Sequence, residues 1–188
     1  MKPLIATLLF AAAVFAQQTS AGSQAAPPAN PLVTVSKGIY NYTNNNILRS
    51  IDKVPDNLWD FQPTKDVRTF GQLFAHIADG QYEFCGVVAE GHSVQKGIEK
   101  TMKTKAEFKQ ALTEAIAYCN GAYDRLTDAD AATMVAFFGQ HLTKLGMMDF
   151  NIAHDMEHYG NLVTYMRLKG IVPPSSEGQM PAAAPAKK

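Results

Sequence analysis

Asp149-Phe150-Asn151-Ile152-Ala153-His154-Asp155-Met156-Glu157-His158-Tyr159-Gly160-Asn161 is the stretch on which the reading of this chain turns. In a helix, residues four apart lie on one face with Cβ atoms about 5–6 Å from each other, so His154 and His158 can grip one ion. The surrounding segment, from Leu142 to Lys169, has a helical apolar period: Leu145, Met148, Ile152, Met156, Tyr159, Val163 and Met166 form a broad face. His154, His158, Leu162 and Tyr165 flank that face, which puts both imidazoles at the edge of a core. Gly170 followed by Pro173-Pro174 is a strong helix stop.

Working outward, a second helix is predicted from Thr69 to Glu90, with Phe70, Leu73, Phe74, Ile77, Phe84, Val87 and Val88 inward. His76 borders this stripe, and Gly80, one turn on, leaves open space beside it. Thr104 with Glu107 reads as a capping box opening a helix from Lys105 to about Leu126, with Phe108, Leu112, Ile116, Cys119 and Tyr123 inward. A first helix is expected over Leu32 to Ile51, with Leu32, Val35, Ile39, Tyr42, Ile47, Leu48 and Ile51 apolar and Asn44-Asn45-Asn46 as a polar break. Trp59 and Phe61, in a Pro-bounded connection, are expected to plug one end. Asp128 to Gly139 has no clear period, and no strand-like alternation of useful length occurs. The fold class is therefore all-α, a four-helix bundle, an architecture that builds metal sites from side chains on facing helices. His76, His154 and His158 are the candidate ligands. Three protein nitrogens with an open fourth position describe a catalytic or exchangeable site rather than a closed structural one. Imidazole suits zinc, nickel and iron alike, so the ligands do not choose the divalent transition metal.

Composition narrows the function classes. Lys plus Arg total 17 and Asp plus Glu total 17. With no basic excess and no clustered cationic stripe, nucleic acid is not an expected partner. Met1-Lys2-Pro3 followed by a short apolar run to Ala16 fits a secretory signal peptide over 1–16, shorter than the ~20 residues a membrane span needs. Residues 17–31 read as a disordered leader, 32–176 as the domain and 177–188 as a disordered tail. Export to the periplasm or beyond is expected, with no stable membrane association after cleavage. Cys85 and Cys119 either form one disulfide or are two small buried apolar groups.

Other motifs carry less. His154-Asp155-Met156-Glu157-His158 satisfies H-x-x-E-H, but only Glu177 remains downstream as a carboxylate, so the inverted zinc-protease reading is rejected. His92 reads as a solvated loop residue, and His141 is left out of the site. Asp79, Asp155, Glu157 and Tyr159 are near enough in sequence to orient ligands or move protons. The chain has neither a phosphate-binding Gly-rich loop nor a G-x-S-x-G elbow.

Phe70-Gly71-Gln72-Leu73-Phe74-Ala75-His76-Ile77-Ala78-Asp79, the pair His154 and His158, and the run from Glu157 to Pro174 together resemble the DinB-like metalloprotein family. The resemblance implies an up-down-down-up bundle with a divalent metal on His76, His154 and His158. It also implies homodimers and, in some relatives, thiol-dependent transferase or isomerase activity. The same topology makes the second and third helices parallel and sets Cys85 and Cys119 at similar heights, which implies a disulfide between them. The expected function is an exported metal-dependent hydrolase or transferase acting on an unknown small molecule. The alternative is a non-catalytic metal-binding or stress-associated bundle.

Overall fold

In the computed structural model, residues 28–178 are described. The proposed signal peptide, most of the leader and most of the tail lie outside them. Four long helices carry the fold: α1 (Pro31–Lys53), α2 (Phe70–Glu90), α4 (Lys105–Arg125) and α6 (Lys144–Leu168). Between them come α3 (Ile98–Thr101), α5 (Asp128–Ala131) and a hairpin of β1 (Met134–Phe137) and β2 (Gln140–Thr143).

Local chemistry sets the helix starts. The Thr69 hydroxyl accepts from the Gln72 backbone N–H while the Gln72 side chain accepts from the Thr69 N–H, a complete capping box that fixes the register of His76. Thr104 and Glu107 form the same box on α4, and Thr143 caps α6 by accepting from Gly146. Gly170, at φ 71°, ends the last helix, with the Ile171 N–H returning to the Met166 carbonyl.

Contacts along the helices define the topology. Gly71 abuts Phe108 near the starts of α2 and α4, and Cys85 meets Cys119 further along, so these two helices are parallel. Ser36 donates to Asp149 and Asn44 to Asp155, so α1 and α6 are parallel as well. Gln81 meets Asn44 of α1 and His76 meets His154 of α6, each in antiparallel sense. The order is up-down-down-up. Because α2 and α4 are parallel, the chain between them must travel back along the bundle, and α3 forms on that return. Trp59, 7% exposed, packs on Phe74 and Phe108 and closes one end, beside Phe61 on Phe70 and Tyr165.

Four expectations are corrected. Asn44-Asn45-Asn46 does not interrupt α1, because Asn44 and Asn46 point inward and Asn44 has hydrogen-bond partners there. The apolar face assigned to the first half of α1 is outward: Leu32, Val35, Ile39 and Tyr42 are exposed, while Ser36, Tyr40, Thr43 and Asn44 are buried. On α6, Met156 is 54% exposed and the buried stripe is rotated onto Asn151, Asp155, His158 and Leu162. No strand was expected, yet the region without a clear period runs into the hairpin, whose β2 takes up Leu142, so α6 starts at Lys144 rather than Leu142. Strands of four residues are too short for a readable alternation, and the tight turn uses Phe138-Gly139, both at positive φ, rather than the usual Asn-Gly.

Candidate metal centre

α2 carries His76 and α6 carries His154 and His158 to the same level of the antiparallel α2–α6 pair. One ring nitrogen from each lies within 4.8 Å of the others, and His76 Nε2 and His154 Nε2 are 3.1 Å apart. Bond lengths of 2.0–2.1 Å in a tetrahedral zinc site put ligand nitrogens about 3.3 Å from one another, so the His76–His154 separation is close to what an ion needs and the third ring lies within 4.8 Å of both. Gly80 is essential to this arrangement. Rather than leaving open space beside His76, it makes room for the His154 ring, since a Cβ there would sit 2.6 Å from His154 Cε1. Phe84, Phe137 and Phe150 continue the apolar wall behind His154.

Each imidazole has a neighbour at its far nitrogen. Glu99 Oε2 lies 3.4 Å from His76 Nδ1, and its other oxygen accepts from Arg68 Nε at 3.0 Å. Glu99 stands on α3, whose first N–H groups, Ile98 and Glu99, donate to the Asp79 carboxylate. Asp79 thus acts through α3, not on a histidine directly. The Asn161 side-chain amide lies 3.4 Å from His158 Nδ1. Glu157 only lines a cavity, and the Tyr159 hydroxyl accepts from Ser175 N–H, tying down the C-terminal run. His92 and His141 are exposed. Glu99 and Asn161 escaped the sequence reading. Glu99 lies in a connection with no periodic signal, and Asn161 is one polar residue among several on α6.

Beneath the histidines is a buried polar network. Tyr40 Oη and Asn151 Nδ2 both donate to Gln81 Oε1, at 2.9 and 2.8 Å. Gln81 Nε2 and Asn44 Nδ2 both donate to Asp155 Oδ2, at 2.7 and 2.8 Å. Asn151 Nδ2 also reaches the sulfurs of the Cys85–Cys119 disulfide, whose Cα atoms are 5.3 Å apart. Asp155 is completely buried, and that burial pushes its carboxyl above the usual range against its amide donors.

Burial, then the adjacent His154 and His76 rings and Arg68, lower the His158 pKa to about 3. Burial, Arg68 and His154 also lower His76, with Glu99 and Asp79 opposing. Imidazoles that stay neutral keep their ring-nitrogen lone pairs available. They also make the metal-free fold acid-sensitive. Between pH 6.5 and about 3 the unfolded chain protonates His158 and the folded chain does not, so stability present above pH 6.5 is lost as pH falls through that window. The loss approaches about 1.4 kcal/mol per pH unit for this group. Denaturant midpoints at pH 7, 5 and 4 should therefore fall more steeply for the metal-free wild type than for His158→Gln; equal slopes would contradict the assignment.

Residues 40–162 match the family model described as the DinB superfamily. No curated protein matches the chain. Among solved structures, a DinB-like protein from Bacillus subtilis is similar at 20% identity and a TM-score of 0.58, covering 75% of this chain and 92% of that one. A DinB-like protein from Bacillus cereus is similar at 18% identity and a TM-score of 0.61, covering 74% and 93%. These likenesses show a shared fold, and the family match spans well over half of the sequence. The chain belongs to the DinB superfamily.

Proposed function

We propose that His76, His154 and His158 hold one divalent transition metal, zinc, nickel or iron, and that the protein is an exported metal-dependent hydrolase or transferase of small molecules. The observation that carries this reading is the convergence of three ring nitrogens from two helices within 4.8 Å. A cavity of about 760 Å³ opens beside His158, walled by Arg68, Gln72, Leu73, Asn161 and Tyr165. Its size suits a small substrate next to the fourth coordination position, which favours catalysis over storage. When bound, such an ion supplies Lewis acidity or activates a water or thiol at that position. Around it, Glu99 orients His76, and Arg68 brings a cation to the cavity wall while tied to Glu99. The buried disulfide supports an oxidising compartment and hence export. Reduced thiols are scarce there, so hydrolysis ranks ahead of thiol transfer.

The test is elemental analysis of protein purified without a polyhistidine tag, alongside His154→Ala/His158→Ala. One equivalent of a transition metal in the wild type, lost in the double variant, is expected, followed by turnover in a hydrolase screen with that ion. Metal-free wild type after incubation with Zn²⁺, Ni²⁺ and Fe²⁺ would overturn the site. Stoichiometric metal without turnover would overturn the enzyme and leave a metal-binding protein.

A further inference from the structure

Two buried polar atoms at the centre of the molecule face each other without hydrogen-bond partners: His154 Nδ1 and Asp155 Oδ1, 3.9 Å apart. Buried polar atoms are nearly always paired, so two orphans in register call for an explanation. The other carboxylate oxygen is fully engaged. Oδ2 receives the Asn44 and Gln81 amides; Asn44 Nδ2 also donates to the Tyr40 carbonyl, and Gln81 Nε2 to Asn44 Oδ1. These two donors fix the carboxylate plane and leave Oδ1 as a bare acceptor aimed at the imidazole. On its far side, His154 Nε2 is the atom that faces His76.

We infer that Asp155 is the positioning residue of the metal centre: its Oδ1 is the acceptor that faces His154 Nδ1, a shift of under about 1 Å from the 3.9 Å separation closes the Nδ1–H hydrogen bond, and that bond keeps the lone pair of Nε2 directed at the cluster. An imidazole ligand needs its proton on the nitrogen away from the ion, and a carboxylate or carbonyl acceptor on that nitrogen sets the tautomer. The network extends this control across the bundle. Tyr40 and Asn44 of α1, Gln81 of α2, and Asn151 and Asp155 of α6 are joined through one hydrogen-bonded chain. The inward Tyr40, Asn44 and Asn151 thereby acquire a reason: with Gln81 they hold one carboxylate in the one orientation that the ligand requires.

Asp155→Asn reverses the polarity with little change of shape. The amide oxygen takes the place of Oδ2 between the two donors, and the NH₂ group turns to His154 Nδ1. That forces the proton onto Nε2, where it blocks coordination, as carboxylate-to-amide changes beside an imidazole do elsewhere. The inference rests on the metal-site reading, so two readouts are needed. Metal-free ¹H–¹⁵N imidazole spectra, assigned with His154→Gln, should show His154 protonated at Nδ1 in the wild type and at Nε2 in Asp155→Asn. Zn²⁺ titration against a chromophoric chelator should show affinity about 10- to 100-fold weaker in the variant, with an unchanged helical circular dichroism spectrum. A wild type that binds no Zn²⁺ defeats the metal site, and the metal-free spectra still judge Asp155. An Nε2 proton on wild-type His154 overturns the inference, even if the variant does not fold. Affinity and tautomer both unchanged in a folded variant overturn it equally.

Discussion

Gly80→Ala is expected to weaken divalent-metal binding by about 100-fold, the scale of losing proper orientation of a ligand, while the helical fold persists. The added Cβ would lie 2.6 Å from His154 Cε1, 3.0 Å from its Nδ1 and 3.3 Å from Phe84 Cε2. The atoms in the way belong to the end of a side chain, so the cheapest response is rotation of the imidazole out of the cluster. Backbone displacement is not required. Alanine in a helix interior is favoured over glycine by about 1 kcal/mol, which offsets the local crowding, so the metal-free melting temperature should hold or rise slightly. Gly160→Ala is the control: it lies on the helix that bears His154 and His158, and its Cβ would meet nothing within 4 Å. Chelator competition on the two variants decides the matter. Wild-type affinity in Gly80→Ala would show that the His154 ring takes no part in binding.

Cys85→Ala/Cys119→Ala is expected to cost about 4 kcal/mol of stability, the chain-entropy value for a cross-link of this span. The linked residues are 34 apart in sequence, and the bridge ties α2 to the parallel α4 in the C-terminal half of both helices. Those helices are joined otherwise by a connection that must run back along the bundle, so the unfolded chain gains much freedom once the bridge is lost. For a domain of this size the midpoint should fall by about 10–15 °C. Both sulfurs are completely buried, and the alanines also leave small voids beside Asn151. Reversible denaturant unfolding of the oxidised wild type and the variant measures the difference. A loss below about 1 kcal/mol would mean that the bridge does not restrain the unfolded ensemble as this span requires.

How legible the molecule was differs from element to element. α2 and α4 were read nearly to the residue, because most of their inward positions are apolar and the Thr104–Glu107 capping box is local chemistry between residues three apart. α1 and α6 were read as helices, but the first half of α1 was turned the wrong way and the inward face of α6 was rotated, while Ile47, Ile51, Met148, Ile152 and Met166 are buried as expected. A hydrophobic period assumes that the core is apolar, and here Ser36, Thr43, Asn44, Asn151 and Asp155 are inside while Leu32, Val35, Ile39, Tyr42 and Met156 are outside. A buried polar residue is tolerated only when a partner satisfies it, and for Ser36, Asn44, Asn151 and Asp155 partners come from other helices. Those partners lie dozens of residues away, Gln81 for Asp155 and Tyr123 for Ser36, so no window along the chain reveals them.

The amino-acid sequence alone determined the all-α class, the bounds of α2 and α4 to within a residue, the stop after α6, the three histidines as one candidate group and the family that they indicate. These depend on spacing and on contacts between near neighbours. Only the tertiary structure decided which face of α1 and α6 is buried, that Gly80 seats His154, that α3 delivers Glu99 to His76, and that Asp155 faces His154 from within a network spanning three helices. Each of these depends on atoms brought together by packing, and packing satisfies a buried polar group wherever it finds a partner.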